Sequence, residues 1–320
     1  MTVKQKKKFE VLVVGELNID LILNRIEGFP ALSKEIIAND MTVTLGSSSA
    51  IFANNLSALG TNVSFLGKVG NDHFADQVCE SLQKSGVDIS HIQRSAKFQT
   101  GLTVAMNYDN DRAMVTYPGA MNDLTLSDIS ENVLESGKHL HLSSVFLQKG
   151  IKSSIVDLFR SAKEKGLTTS LDPQWDPDEK WDLDLNSLLP LVDIFLPNEE
   201  ELKQLTGLEH LEDAMDSIAP FSNMIVVKRG IKGALMRKGE ETVAQDAFLN
   251  PAVVDAIGAG DSFNSGFIHK YIQEATAYEC LRFAALTGAI NTTAAGGTDA
   301  FSSRDKIMAV AKESFNFSIS

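Results

Sequence analysis

Six short apolar runs punctuate the chain: FEVLVVGEL (9–17), NVSFLGKV (62–69), KHLHLSS (138–144), LTTSLD (167–172), VDIFLP (192–197) and NMIVVKRG (223–230). Runs that stay apolar on both sides of the pleat belong to strands buried on both faces. Helical patterns such as GIKSSIVDLFRSAKEKG (150–166) and NEEELKQLTG (198–207) lie between them and supply the covering layers. The alternation predicts an α/β fold: a mostly parallel sheet with helices on both faces. Two segments break the rhythm. EIIANDMTVTL (35–45) and TGLTVAMNYDNDRAMVTYPG (100–119) alternate apolar and polar residues, and DND (109–111) in the second is a hairpin signal. Half-exposed antiparallel strands fit poorly in a doubly wound sheet, so they are assigned to a small accessory sheet; an extension of the main sheet's edge is the alternative.

Bulk properties narrow the function. The 320 residues carry a net charge of −13, with a pI near 4.9. Nucleic acid and anionic membranes both need a basic footprint, so neither is an expected partner. Cys79 and Cys280 stand far apart, with no CxxC pair, and read as reduced thiols. No apolar run is long enough to span a bilayer, and VLVV is too short for a signal sequence, so a cytoplasmic location is expected.

The chemistry concentrates in VVDAIGAGDSFNSGF (253–267). Phe263, Phe267 and Tyr271 recur at four-residue spacing, so a helix follows Asp261. Unpaired N–H groups at a helix start bind anions, and Gly258, Ala259 and Gly260 let an anion approach that backbone. Asp261 at the lip could accept the proton of an attacking hydroxyl. Spacing alone equally allows a glycine turn with Asp261 as a helix cap. Asn18 and Asp20 alternate along one strand, and an amide with a carboxylate suits sugar hydroxyls. An Asx turn is the plainer alternative there.

DAIGAGDSFNSGF (255–267) resembles the C-terminal signature of ribokinase-like (PfkB-type) carbohydrate kinases, DTxGAGDxFxxGF. The likeness extends along nearly the whole chain. VVGELNIDLIL (13–23) is similar to the family's first strand, and GSSSAIFANNLSALG (46–60) with GKVGNDHFADQV (67–78) to its N-terminal signature. YPGAMNDLT (117–125) resembles the end of the lid strands, LPNEEELKQLTG (196–207) carries an NxxE motif, and VVKRGIKGAL (226–235) resembles a strand–turn at the nucleotide site.

The resemblance implies a ribokinase-like three-layer α/β/α fold, as one domain over 1–320 with lid strands within about 15–45 and 98–121. It implies an ATP-dependent kinase acting on a primary hydroxyl of a small monosaccharide or sugar acid of fructose, ribose or ketodeoxygluconate type. Asp261 would be the base, and Gly258, Ala259 and Gly260 the anion hole. Asn18, Asp20, Gly46, Ser47, Asn55 and Arg112 would meet the acceptor. Asn198, Glu201, Lys228, Gly230 and Gly233 would lie at ATP, with Asn198 and Glu201 ordering Mg2+. Asp255 and Ile257, with Gly296 and Gly297, would hold a monovalent cation such as K+. A homodimer through the lid would follow the family.

The match departs in places. Ser47 stands where the second glycine of a pair is usual, Ser48 where ribokinases carry lysine, Ile51 at a common asparagine, and Ala256 at a threonine. DPQW (172–175) replaces DPNxR. These changes cluster around the acceptor and leave its identity open. A nucleoside kinase of the same fold, and a sugar-binding protein without catalysis, are the alternatives.

Overall fold

The first apolar run becomes strand β1 (Phe9–Val14). Val11 and Val13 face one hydrophobic cluster and Leu12 and Val14 another, and all four are fully buried. That two-sided burial is why the run is continuous rather than alternating; each such side chain contributes about 1.5–3 kcal/mol. The strand stops at Gly15, where a Cβ would lie 1.9 Å from Ser49 Oγ. It is therefore shorter than the 9–17 run predicts.

The computed structural model describes residues 7–108 and 111–319, with no side-chain account at 111 and 112. Within them, β2 (Asn18–Ile26), β3 (Ala38–Leu45), β6 (Gly101–Tyr108) and β7 (Asp111–Tyr117) form a four-stranded sheet in the order β3-β2-β6-β7. The other strands are β4 (Val63–Val69), β5 (Asp88–Arg94), β8 (Gly137–Ser143), β9 (Thr168–Asp172), β10 (Ile194–Phe195), β11 (Ile225–Lys228), β12 (Ala234–Lys238) and β13 (Glu241–Gln245). With β1 they form a nine-stranded sheet ordered β13-β12-β11-β10-β9-β8-β1-β4-β5. It is parallel from β11 through β5; β12 alone runs against the other strands, pairing antiparallel with both β11 and β13.

Helices Ile155–Glu164, Glu199–Thr206 and Leu211–Ile218 pack into the cluster holding Leu12. Helices Ser48–Ala58, His73–Lys84, Ala259–Tyr271 and Ala277–Asn291 pack into the one holding Val11. The three layers match the expectation, and so does the separate small sheet. The 150–166 pattern is interrupted: a turn at Ser153–Ser154 separates Lys149–Lys152 from Ile155–Glu164. The DND turn lies partly outside the described residues. No helix among them is long and apolar enough to cross a membrane.

The small sheet has two unlike faces. Asp20 pairs with Thr44 and Thr103, and Thr103 with Thr116, which places hydroxyls and the carboxylate on one face. Leu21, Val43, Val104 and Val115 are paired on the other. Its outer strands leave Met41 60% and Val115 66% exposed.

Candidate active site

The carboxyl ends of parallel strands mark the usual ligand edge of such a sheet. Asp172 closes β9 and Lys228 closes β11, while Asn198 follows β10 and bridges to Lys228. Glu16 follows β1. Helix Ala259–Tyr271 begins at this edge. Gly258 precedes it in the left-handed region, φ +75°, and no side chain caps its N-terminus. The Ala259 amide donates to the Ala256 carbonyl at 3.3 Å, while the Gly260 and Asp261 amides are left for an anion. A Cβ on Gly258 would come 2.7 Å from Gly297 Cα, so glycine is needed for both conformation and packing. Gly258→Ala should cost about 1–3 kcal/mol, read as a lower urea midpoint. Gly260 is open: a Cβ there would meet only Lys228, at 3.8 Å.

Asp261 lies in the first helical turn, 7% exposed. Its Oδ1 accepts from Ser48 Oγ at 2.5 Å and from Gln174 Nε2 at 3.1 Å. Burial, then the charge of Asp172, push its pKa up to about 7; the Ser48 bond and Lys228 oppose them. Asp172 is fully buried, and its Oδ2 takes Lys228 Nζ at 2.7 Å, Gln174 Nε2 at 2.9 Å and Asn264 Nδ2 at 2.5 Å. Burial works against the Lys228 ammonium, but Asp172 and Glu201 outweigh it and raise its pKa. One cation thus sits among three carboxylates, beside an open helix N-terminus.

A cavity of about 550 Å³ opens on this group. Phe248, Leu249, Val253, Ala285 and Ala289 give it an apolar wall; Lys228, Gly230, Gly233, Asn198, Glu201 and Gly260 line its polar end. An apolar slot ending in a cation and free amides suits a flat base carrying phosphates. Asn198 and Glu201 form a reciprocal capping box, with both bonds at 2.8 Å. That local role explains the NxxE spacing, yet both residues also border the cavity. Burial, then the Asp172 charge, push the Glu201 pKa upward. Glu201 Oε2 carries the cap, which leaves Oε1 for a water of a hydrated divalent ion, the way magnesium is usually met.

A family model for pfkB family carbohydrate kinases matches residues 8–304. The chain belongs to the PfkB carbohydrate kinase family. A ribokinase of Lactococcus lactis subsp. lactis is 26% identical over 95% of this chain and 97% of its own. A 2-dehydro-3-deoxygluconokinase of Bacillus subtilis is 27% identical over 80% of this chain and 82% of its own. The structure of Arabidopsis thaliana ribokinase complexed with ribose and ATP superimposes with a TM-score of 0.81 at 25% identity, covering 95% of this chain and 99% of that one. The protein is a sugar kinase, a phosphotransferase with an alcohol acceptor.

Within this PfkB kinase, the expected acceptor residues divide. Asn18 Nδ2 donates to Asp20 Oδ1 at 3.2 Å and to Thr103 Oγ1 at 2.8 Å, and its buried Oδ1 has no partner. Gly46 lies against both: a Cβ there would be 2.2 Å from Asp20 Oδ1 and 2.8 Å from Asn18 Oδ1. Ser47 occupies φ +72°, a conformation suited to the glycine it replaces, and bonds the Glu16 carbonyl at 2.5 Å. Asn55 departs from expectation. It is fully buried, with its amide donating to Ser262 Oγ and the Gly297 carbonyl, both at 2.9 Å. Its Oδ1 accepts from Asn54 Nδ2 at 2.9 Å, so Asn55 is spent on contacts within the fold. Arg112 pairs through its backbone with Asn107, and its side chain lies outside the described residues.

Asp255 is spent on the loop: Oδ1 accepts from the Ile257 amide at 2.9 Å and Oδ2 from the Gly296 amide at 3.0 Å. The Ile257 carbonyl accepts from Asn291 at 2.6 Å. The Gly296 bond brings the 255–257 and 296–297 segments together. Sequence reasoning gave no role to Asp172, Asn264 or Thr103. Gln174 and Ser48 were visible only as departures from a family pattern.

Proposed function

We propose that the protein transfers the γ-phosphoryl group of ATP to a primary hydroxyl of a small monosaccharide or sugar acid. The observation carrying this reading is a buried carboxyl, Asp261, at the uncapped start of a helix where an apolar cavity meets a cation. Asp261 takes the hydroxyl proton as the acceptor oxygen bonds to phosphorus. The bond from phosphorus to the β-phosphate oxygen breaks, and ADP leaves with the negative charge. The amides of Gly258, Gly260 and Asp261, with Lys228, offset charge on the phosphoryl oxygens. Mg2+, ordered through Asn198 and Glu201, would neutralise the phosphate oxygens when bound. A monovalent cation beside Asp255 and Ile257 would support the anion hole.

Asn18, Asp20, Thr103 and the Gly46 turn would hold the acceptor, with the small sheet acting as a lid that excludes water. Asp20 has threonine neighbours across both strand pairings rather than stacking aromatics, which favours a sugar over a nucleoside. The test is ATP consumption with Mg2+ and K+ across monosaccharides, sugar acids and nucleosides. Turnover with one sugar supports the reading. Thermal stabilisation by a sugar without turnover would replace it with a binding protein.

The apolar outer face of the small sheet, with its unpaired edge strands, supports a homodimer formed through the lids. Val115→Asp, on that face, should shift a dimer to monomer or weaken it at least tenfold, read by sedimentation velocity.

A further inference from the structure

We propose that Gln174 and Ser48 are positioning residues for Asp261: they clamp one carboxylate oxygen so that the other faces the acceptor hydroxyl. This deepens the reading of Asp261 as the base and rests on it. Both donors converge on Oδ1, arriving from 87 and 213 positions away in the chain. They also meet each other: Gln174 Nε2 has two N–H groups for three acceptors, so one is shared between Ser48 Oγ at 2.8 Å and Asp261 Oδ1 at 3.1 Å while the other points to Asp172 Oδ2. A carboxylate held through one oxygen by two cross-linked donors cannot rotate freely, so Oδ2 keeps a fixed direction. Proton abstraction depends on that direction, since a small misplacement of a reacting group is costly.

Two further features mark Gln174. It holds φ +59°, a conformation that β-carbon-bearing residues seldom adopt and that persists where the surroundings enforce it. Its amide also reaches Asp172 Oδ2, the oxygen that holds Lys228. Gln174 therefore joins the proton-accepting group to the cation beside Gly260, and so the acceptor side of the reaction to the phosphate side. Ser48 is set by its own turn: Ser47 bonds the Glu16 carbonyl, and the Glu16 carboxyl bonds the Ser49 amide at 3.2 Å and the Ser49 hydroxyl. The charged groups around Asp261 are Asp172 after β9, Lys228 after β11, Glu16 after β1 and Glu201 on its helix.

The test uses protein labelled at the aspartate side-chain carboxyl carbon, with Asp261→Asn identifying the resonance. The full chain is titrated as wild type, Gln174→Ala and Ser48→Ala. Removing a donor from the ionised form raises a carboxyl pKa. Both variants should move the Asp261 midpoint upward by at least half a pH unit. The acid limb of kcat/KM should follow, with kcat at pH 7 falling at least tenfold in both variants and KM for ATP changing less than twofold in Ser48→Ala, since Gln174 also borders the apolar cavity. An unmoved midpoint in both folded variants overturns the proposal, as does a lower kcat on an unshifted acid limb. The carbon titration reads the clamp even if no sugar is turned over. A moved midpoint without turnover in the wild type would sink the kinase reading and leave the clamp standing.

Discussion

Asp261→Asn is expected to lower kcat by about 10²–10⁴-fold, the range for removing a general base. ATP affinity should hold, because the amides of Gly258, Gly260 and Asp261 remain, as does Lys228. Isothermal titration with a nonhydrolysable ATP analogue, beside steady-state kinetics, separates the two. The same carboxyl sets a pH dependence. Asp261 must be ionised to accept a proton, so wild-type kcat/KM should fall as pH drops through about 7. Stability runs the other way. A carboxyl with a raised folded pKa binds its proton more tightly folded than unfolded. Its protonation stabilises the fold fully only below the ordinary value of 3.8, and that gain is lost progressively as pH rises from there to about 7. Asp261→Asn should therefore melt higher than wild type at pH 8, with the gap smaller at pH 5 and closing only below about pH 4. Equal melting temperatures at both values, with kcat unchanged, would remove Asp261 from the chemistry.

The second large effect concerns Lys228. Its side chain is 11% exposed and its partner Asp172 is fully buried. Removing one member of a buried pair leaves an uncompensated charge, at a cost of about 3–5 kcal/mol. Lys228→Met should show that loss in urea unfolding, together with a raised KM for ATP. Adding Asp172→Asn should recover most of the stability but not the nucleotide affinity. If stability and affinity recover together, Lys228 serves only to neutralise Asp172. If the single variant is as stable as wild type, the pair is not the buried unit its geometry describes.

The parallel strands were readable because burial on two faces leaves unbroken apolar runs. β12 and β13 were not, since GALMRKGEETVAQ mixes charges into a half-exposed hairpin turning at Gly239, φ +58°. β5 sits at the sheet edge, and its polar DISHIQR gives little apolar signal. Local motifs in the site were legible for a related reason. The capping box at Asn198 and Glu201, and the glycine turn before Asp261, are short-range devices written in consecutive residues. The Asp172–Gln174–Ser48–Asp261 contacts join distant segments, and no spacing rule encodes them. Asn55 misled because a family position was carried onto a helix buried nearly all round.

The placement of the proposed acceptor residues would have an evolutionary consequence. Asn18, Asp20 and Thr103 belong to the small sheet, whereas Lys228 closes a strand of the large sheet and Asp261 begins a helix packed against it, with the apolar cavity beside both. Mutations that reshape sugar choice can accumulate in β2 and β6 without disturbing the residues that handle phosphate. A scaffold divided this way can drift from one sugar to another by single substitutions while remaining a kinase at every step.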